Sequence, residues 1–274
     1  MKKTELADVQ QQRYQEWLTR ARSWVFGDPE IVNRIGPYLI LVHSSMGNIE
    51  RHVLPKMEAV KTWGPFVQGA GSALGKYRDT EIWILHHMMG CTATQMWMQC
   101  LQGTGVKFLI SLGEMTAYPD DVRVGDVVVP TSSERGDLIG EHHVTPEIPA
   151  AADPHLLLTA ADYFSQHDWP THFGSIYSGM PGGVGIDNPI LKEKIYQGIQ
   201  FHQLGNAIET SVVYLEAARL GIQALDLWVV SDDIAYGVFD DYPEGKKRWT
   251  KGWDLISGAA LDILAGIEGE NREF

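Results

Sequence analysis

Two neighbouring acids in the sequence have the setting that acid catalysis requires. Asp232 and Asp233 follow the apolar run Leu227–Val230 after a single serine, Ser231. A carboxyl group at the end of a buried strand loses hydration, which raises its pKa and suits it to act as a general acid. The same pair is equally compatible with a loop acid or a helix cap. The segment therefore indicates either a proton donor or a structural acid.

A third acid, Glu209, lies near the start of a mostly apolar helical segment and shares a helical face with Val213 and Leu220. An acid in the first turn of a helix stabilises it by only tenths of a kcal/mol to about 1 kcal/mol. A carboxylate buried on that face is costly unless something donates hydrogen bonds to it. A sugar diol would do so. Glu209 is thus interpreted as a helix-start acid or as a ligand-binding carboxylate.

Two further patterns favour structural interpretations. Gly69–Lys76 has one residue too few between its glycines for a phosphate-binding loop, and Tyr77 stands where such a loop needs Ser or Thr. The segment also precedes a predicted strand, so we predict a hairpin-like turn. The pairs His86-His87 and His142-His143 are adjacent, and neighbours on a strand point to opposite faces. Hydrogen-bonded structural histidines are favoured, and no metal site is predicted.

The composition is that of an acidic globular protein. Its 274 residues include 22 basic and 35 acidic side chains, a formal net charge of −13 at pH 7. Such a surface repels phosphate backbones and anionic membranes, so neither nucleic acid nor a membrane is an expected partner. No apolar stretch approaches the roughly 18 residues of a membrane span, and Met1–Gln12 does not resemble a signal peptide. Because Cys91 and Cys100 suit a reducing compartment, we expect a cytoplasmic protein.

The elements that must position these acids alternate along the chain. Runs rich in β-branched and aromatic residues predict strands at Tyr38–His43, Glu81–Met88, Lys107–Leu112, Asp126–Pro130, His172–Ser178 and Ala224–Ser231. Helical patterns occupy Glu5–Trp24, Thr92–Gly103, Asp153–Gln166, Asn188–Gln197, Ile208–Leu220 and Lys246–Ile267. Strands that are apolar on nearly every residue suit a sheet covered on both faces. We predict an N-terminal helical extension over residues 1–30, followed by a single α/β domain over residues 31–274. The domain has a central mixed, twisted sheet flanked by helices, and we expect ligands to bind at the carboxyl ends of its strands.

Three blocks of sequence resemble the nucleoside phosphorylase superfamily, which includes purine nucleoside phosphorylases, uridine phosphorylases and methylthioadenosine nucleosidases. The first block begins at Met89-Gly90, continues through Gly105–Gly113 and ends with the Val-Gly-Asp-Val-Val-Val-Pro-Thr segment at Val124–Thr131. The second, Ala207-Ile208-Glu209, is similar to a Glu-Met-Glu ribose motif. The third, Val230-Ser231-Asp232-Asp233, is similar to a Val-Ser-Asp segment of the purine-specific branch. Together they have the order and spacing of the family over roughly Leu39–Leu264.

The resemblance implies roles for individual residues. It implies that Glu209 holds the ribose 2′ and 3′ hydroxyls, that Asp232 protonates a purine-like leaving base and that Arg248 supports Asp232. Other residues of the same blocks are implied to bind substrate: Met89, Gly90, Ser111, Gly113, Glu114, Ile208 and Ser231. Breaking a glycosidic bond builds positive charge on the sugar and negative charge on the base. A carboxylate near the sugar and an acid near the base are consistent with that chemistry.

The chain departs from the family where relatives bind phosphate. His43–Asn48 stands in place of a Gly-Asp-x-x-Arg-like loop, Ser111 in place of an arginine, and Glu114 in place of a threonine or serine. Ala207 replaces the first glutamate of the ribose motif. Serines and an added carboxylate bind a dianion poorly.

We therefore expect an enzyme that cleaves or remakes the N-glycosidic bond of a purine-type nucleoside or related N-glycoside, with water more suitable than phosphate as acceptor. One alternative is a phosphate-dependent phosphorylase whose anion site is built from other cations, in this or a neighbouring subunit: Arg51, Lys56, Lys76, Arg78 or Arg135. Another is a repurposed biosynthetic, binding or storage protein. The resemblance implies no cofactor and a homo-oligomer. In that homo-oligomer, Glu5–Trp24, Trp249 and Trp253 are either contact surfaces or core residues.

Overall fold

A computed structural model of the chain describes residues 3–26, 29–44, 46–64, 70–87, 89–137, 144–179, 189–233, 237–238 and 244–269. The helices are α1 (Lys3–Phe26), α2 (Met46–Asn48, a single turn), α3 (Cys91–Cys100), α4 (Pro154–Ser165), α5 (Pro189–Gln200), α6 (Thr210–Leu220) and α7 (Gly245–Gly269). Further single turns cover Pro29–Arg34, Ile49–Val53 and Leu54–Lys56. All six predicted helices are present, and their ends differ from the prediction by no more than three residues.

The strands form one mixed sheet. They are β1 (Tyr38–His43), β2 (Glu58–Trp63), β3 (Gly71–Tyr77), β4 (Thr80–His86), β5 (Phe108–Ala117), β6 (Val127–Arg135), β7 (Ala150–Ala151), β8 (Thr171–Ser178), β9 (Gly205–Asn206), β10 (Gln223–Asp233) and β11 (Gly237–Val238). β1 runs parallel to β4 and β5, and β10 runs parallel to β5 but antiparallel to β6. Because β6 leads through β8 and β9 back to β5, this part of the sheet closes on itself.

Both faces of the central strands are covered. In β1, Leu39 and Leu41 belong to a core cluster with residues of α1, α3 and α6, whereas Ile40 and Val42 belong to a second cluster with residues of α4 and α7. This alternation follows from the two-residue repeat of a strand, and it explains why every residue of β1 is buried. The predicted fold class, an α/β domain with a mixed sheet between helices, is confirmed.

The prediction of a turn at Gly69–Lys76 is wrong in its placement. Gly71–Tyr77 is strand β3, which pairs antiparallel with β4, and the turn follows at Arg78 and Asp79, both with positive φ. Gly75 lies against Met57, whose side chain would be 2.9 Å from a Cβ at this position. The glycines of the strand therefore allow close packing, while Gly69 lies outside the described residues.

The aromatic residues near the two ends of the chain serve mainly as core. Trp249 and Trp253 are 7% and 0% exposed, which corrects their proposal as contact surfaces. In α1, Leu18 and Phe26 are buried, whereas Trp17 is partly exposed. The helical nature of the N-terminal segment is thus observed, and the domain boundary at residue 30 stays a prediction. Among the described residues, no helix combines the length and apolar composition needed to span a bilayer.

The histidine pairs divide between described and undescribed segments. His86 and His87 are both buried, and the His87 ring stacks on Trp97 at 5.7 Å and meets the edge of His43 at 4.7 Å. The pair at 142 and 143 lies outside the described residues. Within the described part of the chain, no group of His, Cys, Asp and Glu side chains could hold a metal ion.

Candidate functional site

The carboxyl ends of three parallel strands meet at one edge of the sheet. β5 lies between β1 and β10, with Gly113 opposite His43 and Thr116 opposite Asp232. α/β proteins bind ligands at this edge, and a cavity of about 140 Å³ opens there. We call it the strand-end cavity. It is lined by residues of these strands, of β9 and of the segments before α3 and α6: His43, Met89, Glu114, Met115, Thr116, Asn206, Ala207, Ile208, Glu209, Ser231 and Asp232.

Two larger cavities, each of about 290 Å³, lie elsewhere. One is lined by residues of α4 and α7, among them Tyr163 and Asp262, and the other by the end of β6 and residues 146–150. Neither contains a predicted catalytic or substrate-binding residue, although Arg135, one of the cations considered for an anion site, lines the second. The position of the strand-end cavity and the chemistry of its lining, rather than its size, therefore identify it as the candidate site.

Asp232 is held at the end of β10 by two hydroxyl groups. Thr116 Oγ1 lies 2.7 Å from its Oδ2, and Ser231 Oγ lies 2.8 Å from its Oδ1. Burial raises the pKa of Asp232, the two hydroxyl hydrogen bonds lower it, and the charge of Asp233 raises it further. A hydroxyl group can either donate or accept, so both contacts are compatible with a protonated carboxyl. Asp232 can thus present a proton to the strand-end cavity.

Glu209 approaches the same cavity from the residue that precedes α6. It is 3% exposed, and its Oε1 accepts a hydrogen bond of 2.7 Å from the backbone N–H of Gly90. Burial raises the pKa of Glu209 to about 7, against the lowering effect of the Gly90 N–H. A buried carboxylate with so few donors is stabilised most by a ligand that donates further hydrogen bonds to it.

Glu114 is the third carboxyl group of the strand-end cavity, and its Oε1 is surrounded by neutral donors. Asn48 Nδ2 and Trp253 Nε1 each lie 3.1 Å from this oxygen, and Ser44 Oγ lies 3.4 Å from it. Burial raises the pKa of Glu114, these three donors lower it, and the charge of Asp232 raises it further.

Behind the cavity lies a buried polar layer that the sequence analysis did not identify. His43 Nε2 is 2.7 Å from Ser111 Oγ, and Trp228 Nε1 donates to Thr210 Oγ1 at 3.0 Å. Asp226 is fully buried beside them, and burial raises its pKa to about 8, with nearby hydroxyls lowering it. Neither carboxyl oxygen of Asp226 has a hydrogen bond of normal geometry among the described residues. This carboxyl group is therefore held in its neutral form near pH 7.

The described contacts of Arg248 go to groups other than Asp232, contrary to the role that the resemblance implied. Its guanidinium pairs with Asp126, its Nε donates to the Val124 carbonyl at 2.9 Å, and it lies over the Trp169 ring. Asp126 is 2% exposed, so the arginine compensates a buried charge in the turn before β6. The expectation that Arg248 supports Asp232 is corrected accordingly.

Two predicted substrate contacts are also corrected. A Cβ at Gly113 would come within 2.0 Å of the Trp228 ring, so this glycine makes room for the indole. Ser111 is fully buried and faces His43. Neither residue lines the strand-end cavity. By contrast, Ile208 and Ser231 do line it, as does Met89, which is 71% exposed, and Gly90 contributes through its N–H to Glu209.

The described lining of the strand-end cavity contains no lysine or arginine. Of the cations considered as substitutes, Lys56 and Arg78 form ion pairs with Asp254 and Asp262, and Arg135 donates to three backbone carbonyls. Arg51 and Lys76 are exposed. Carboxyl groups consequently dominate the charge that this chain brings to the cavity.

Several functional candidates escaped the sequence analysis because they have no distinctive motif. Thr116 and Asn48 matter only through the carboxylates that they contact, which the sequence does not reveal. Asp226 had a usable signal, because it is an acid within the otherwise apolar run Ala224–Val230. An acid in the interior of a buried strand requires a specific environment.

Comparisons with known proteins give relatives that are nucleoside phosphorylases. The profile of the phosphorylase superfamily matches residues 62–244. DeoD-type purine nucleoside phosphorylases are similar in sequence. The protein of Clostridium beijerinckii is 28% identical over 204 residues, covering 74% of this chain and 82% of the relative. That of Bacillus subtilis is 28% identical over 199 residues, covering 72% and 82%, and that of Clostridium perfringens is 25% identical over 199 residues, covering 72% and 83%.

Solved structures give the same picture for the fold. Uridine phosphorylase from Vibrio fischeri ES114, complexed with 6-hydroxy-1-naphthoic acid, superposes with a TM-score of 0.78 at 20% identity, covering 85% of this chain and 93% of that one. A second structure of that enzyme gives a TM-score of 0.78 at 19% identity, covering 85% and 94%. Since the profile matches about two thirds of the chain, the predicted family and the predicted enzyme class, a glycosidic-bond-cleaving enzyme of the nucleoside phosphorylase type, are confirmed: the chain belongs to the phosphorylase superfamily.

Proposed function

We propose that this protein hydrolyses the N-glycosidic bond of a purine-type nucleoside or a related N-glycoside, with water as the acceptor. The observation that carries the proposal is a single cavity that brings together Glu209, Asp232 and Glu114 without a lysine or arginine in its described lining. As such a bond breaks, positive charge develops on the sugar and negative charge on the base. Glu209 is suited to stabilise the first and Asp232 to neutralise the second.

At the base end, Asp232 acts as the general acid. Departure of the base leaves an electron pair on its nitrogen, and transfer of a proton from Asp232 neutralises that charge as the bond breaks. Burial raises the pKa of Asp232 above the ordinary value of an aspartate, which favours its protonated form. Thr116 and Ser231 fix the direction in which the carboxyl group points.

At the sugar end, Glu209 binds the vicinal hydroxyls. The Gly90 N–H orients Oε1, and two sugar hydroxyls donate to the carboxylate. Its negative charge also stabilises the positive charge that develops on the ring as the glycosidic bond breaks. The relatives named as purine nucleoside phosphorylases support a purine as the leaving base.

The charge of the cavity favours water over phosphate. Two like unit charges 4 Å apart repel by roughly 4 kcal/mol at an effective dielectric constant near 20. A phosphate dianion beside ionised Glu114 and Glu209 meets this repulsion without an arginine or lysine in the described lining to offset it. Water carries no such penalty.

Product analysis with and without phosphate tests the proposal. Purified protein is incubated with a panel of purine and pyrimidine nucleosides, and the free base, free sugar and sugar 1-phosphate are quantified by chromatography. We expect free sugar at a rate independent of phosphate, and we expect Asp232→Asn to lower kcat by about 10² to 10⁴-fold. Release of sugar 1-phosphate that strictly requires phosphate would refute the hydrolytic mechanism.

A phosphorylase is the second candidate, because the curated relatives are named as such and a neighbouring copy of the chain could supply cations. It predicts that phosphate raises the melting temperature, since a ligand of the native state stabilises it. A repurposed binding protein predicts a ligand-dependent melting shift without turnover, unaffected by Asp232→Asn. Homo-oligomerisation and a cytoplasmic location stay predictions, of which light scattering on the purified protein checks the first.

A further inference from the structure

We propose that Glu114 is the general base of the reaction: its Oε2 removes a proton from the water that attacks the sugar. The assignment rests on the proposed hydrolytic function and adds a catalytic residue to it. It comes from three features of the described residues. These are the position of Glu114 in the lining of the strand-end cavity, the donors that contact its Oε1 and its strand register relative to Asp232.

The first feature leaves one carboxylate oxygen available to a ligand. Asn48, Trp253 and Ser44 all direct their hydrogen bonds to Oε1. Among the described residues, no cation pairs with Glu114. Three contacts from different elements hold the side chain in one orientation, and Glu114 lines the cavity, so we assign the contact with the attacking water to its second oxygen.

The second feature separates the protonation states of Glu114 and Asp232. An indole N–H and an amide NH₂ can only donate, so Trp253 and Asn48 stabilise Glu114 best when it is ionised. The partners of Asp232 are hydroxyl groups, which donate to its ionised form and can rotate to accept a hydrogen bond from its protonated form. Two carboxyl groups in one cavity are thereby suited to opposite tasks, a base and an acid.

The third feature is the spacing along β5. Asp232 is opposite Thr116 and bonded to it, and Thr116 is two residues from Glu114. Two residues of a strand span roughly 7 Å. This register places Glu114 and Asp232 at neighbouring positions of two paired strands, and both side chains line the strand-end cavity. A substrate bound there can therefore contact both acids.

The step is balanced within the cavity. Water oxygen forms a bond to the anomeric carbon, and one water proton moves to Glu114 Oε2. The carbon–nitrogen bond breaks, its electron pair stays on the base, and the proton of Asp232 moves to that nitrogen. Solvent then takes the proton from Glu114 and returns one to Asp232, so the net reaction consumes one water and yields free sugar and free base.

The test compares Glu114→Gln, Glu114→Ala and the control Glu134→Gln in the full chain. Glu134 is a partly exposed acid on β6 that contacts Lys194 and Gln203, outside the strand-end cavity. We expect Glu114→Gln to lower kcat for hydrolysis by about 10² to 10⁴-fold with little change in KM, and Glu134→Gln to match the wild type. Melting curves verify that the variants are folded, and the glutamine can still accept from Trp253 and Asn48.

Azide distinguishes a base from a structural residue. The azide anion attacks carbon without losing a proton, so it should restore turnover of Glu114→Ala and yield a glycosyl azide, detectable by mass spectrometry. A folded Glu114→Gln variant with unchanged kcat, a change confined to KM, or an inactive Glu114→Ala variant that azide does not rescue would overturn the base assignment while leaving hydrolysis intact. A wild-type enzyme that forms sugar 1-phosphate only with phosphate would overturn both proposals.

Discussion

Replacing Glu209 by glutamine should make the stability of the protein less dependent on pH. Burial raises the pKa of Glu209 from its ordinary value of 4.5 to about 7 in the folded state. Between these values the native protein keeps a proton that the unfolded chain has lost, so the free energy of unfolding falls as pH rises. At 1.36 kcal/mol per pH unit, the loss amounts to about 3 kcal/mol and is complete above pH 7.

The variant removes this ionisation but keeps an oxygen that can accept from the Gly90 N–H. The difference in unfolding free energy, variant minus wild type, should therefore grow in favour of the variant by about 3 kcal/mol between pH 4.5 and pH 8. Urea unfolding followed by tryptophan fluorescence at several pH values measures it. Asp226 also has a raised pKa, and the charge of Glu209 contributes to that rise, so the difference measures Glu209 together with its coupling to Asp226.

Glu134→Gln serves as the matched control, because the same change at a side chain that is 45% exposed removes a surface ion pair with Lys194, while the glutamine can still accept from Gln203. Such contacts contribute under about 1 kcal/mol. A Glu209→Gln minus wild-type difference that stays constant over the whole pH range would refute the reasoning. It would mean that Glu209 ionises equally easily in the folded and unfolded chains and is not buried as the structure describes.

Two further substitutions test the corrected assignments. Gly113→Ala should destabilise the fold by about 3 kcal/mol, because its methyl group would overlap the buried Trp228 ring. Gly266→Ala in α7, where a Cβ meets nothing within 4 Å, should instead stabilise it by up to about 1 kcal/mol; chemical denaturation compares the two. Arg248→Ala should lower stability by about 3 kcal/mol, since it removes the guanidinium from buried Asp126 and leaves it the His172 ring and the Arg123 N–H, with kcat nearly unchanged. A loss of kcat as large as that of Asp232→Asn, without a loss of stability, would restore the role that the resemblance implied.

Local pattern predicted the strands that are buried on both faces and missed those whose positions depend on partners. The run Tyr38–His43 has the bounds of β1, because six consecutive apolar or aromatic residues suit such a strand. β2 is largely exposed at the sheet edge, and β3 is built of small residues with weak strand preference. β5 continues past Gly113 to Ala117, where the pairing with β10, rather than an apolar pattern, keeps it extended.

The acids of the site could be predicted because a carboxylate next to an apolar run is conspicuous in a sequence. Their partners could not. The resemblance implied that Arg248 supports Asp232, whereas in the structure its guanidinium pairs with Asp126 and its Nε donates to the Val124 carbonyl. Likewise, Ser111 and Glu114 are three residues apart on β5, yet only Glu114 lines the strand-end cavity. The direction of a side chain depends on the twist of the sheet and on the neighbouring strands, and neither can be determined from the local sequence.

The energetic cost of burying these acids and the chemistry proposed for them have one physical origin, the loss of hydration of the carboxylates. A buried carboxylate such as Glu209 lowers the stability of the empty protein because few donors replace its lost water. A ligand that donates two hydroxyl hydrogen bonds and develops positive charge supplies the donors and the compensating charge that the buried carboxylate lacks. This stabilisation is greatest in the transition state, when the positive charge is largest. A phosphate dianion would add a further negative charge to Glu114 and Glu209 instead. In the proposed mechanism, the placement that weakens the folded state therefore favours a cationic transition state and a neutral nucleophile.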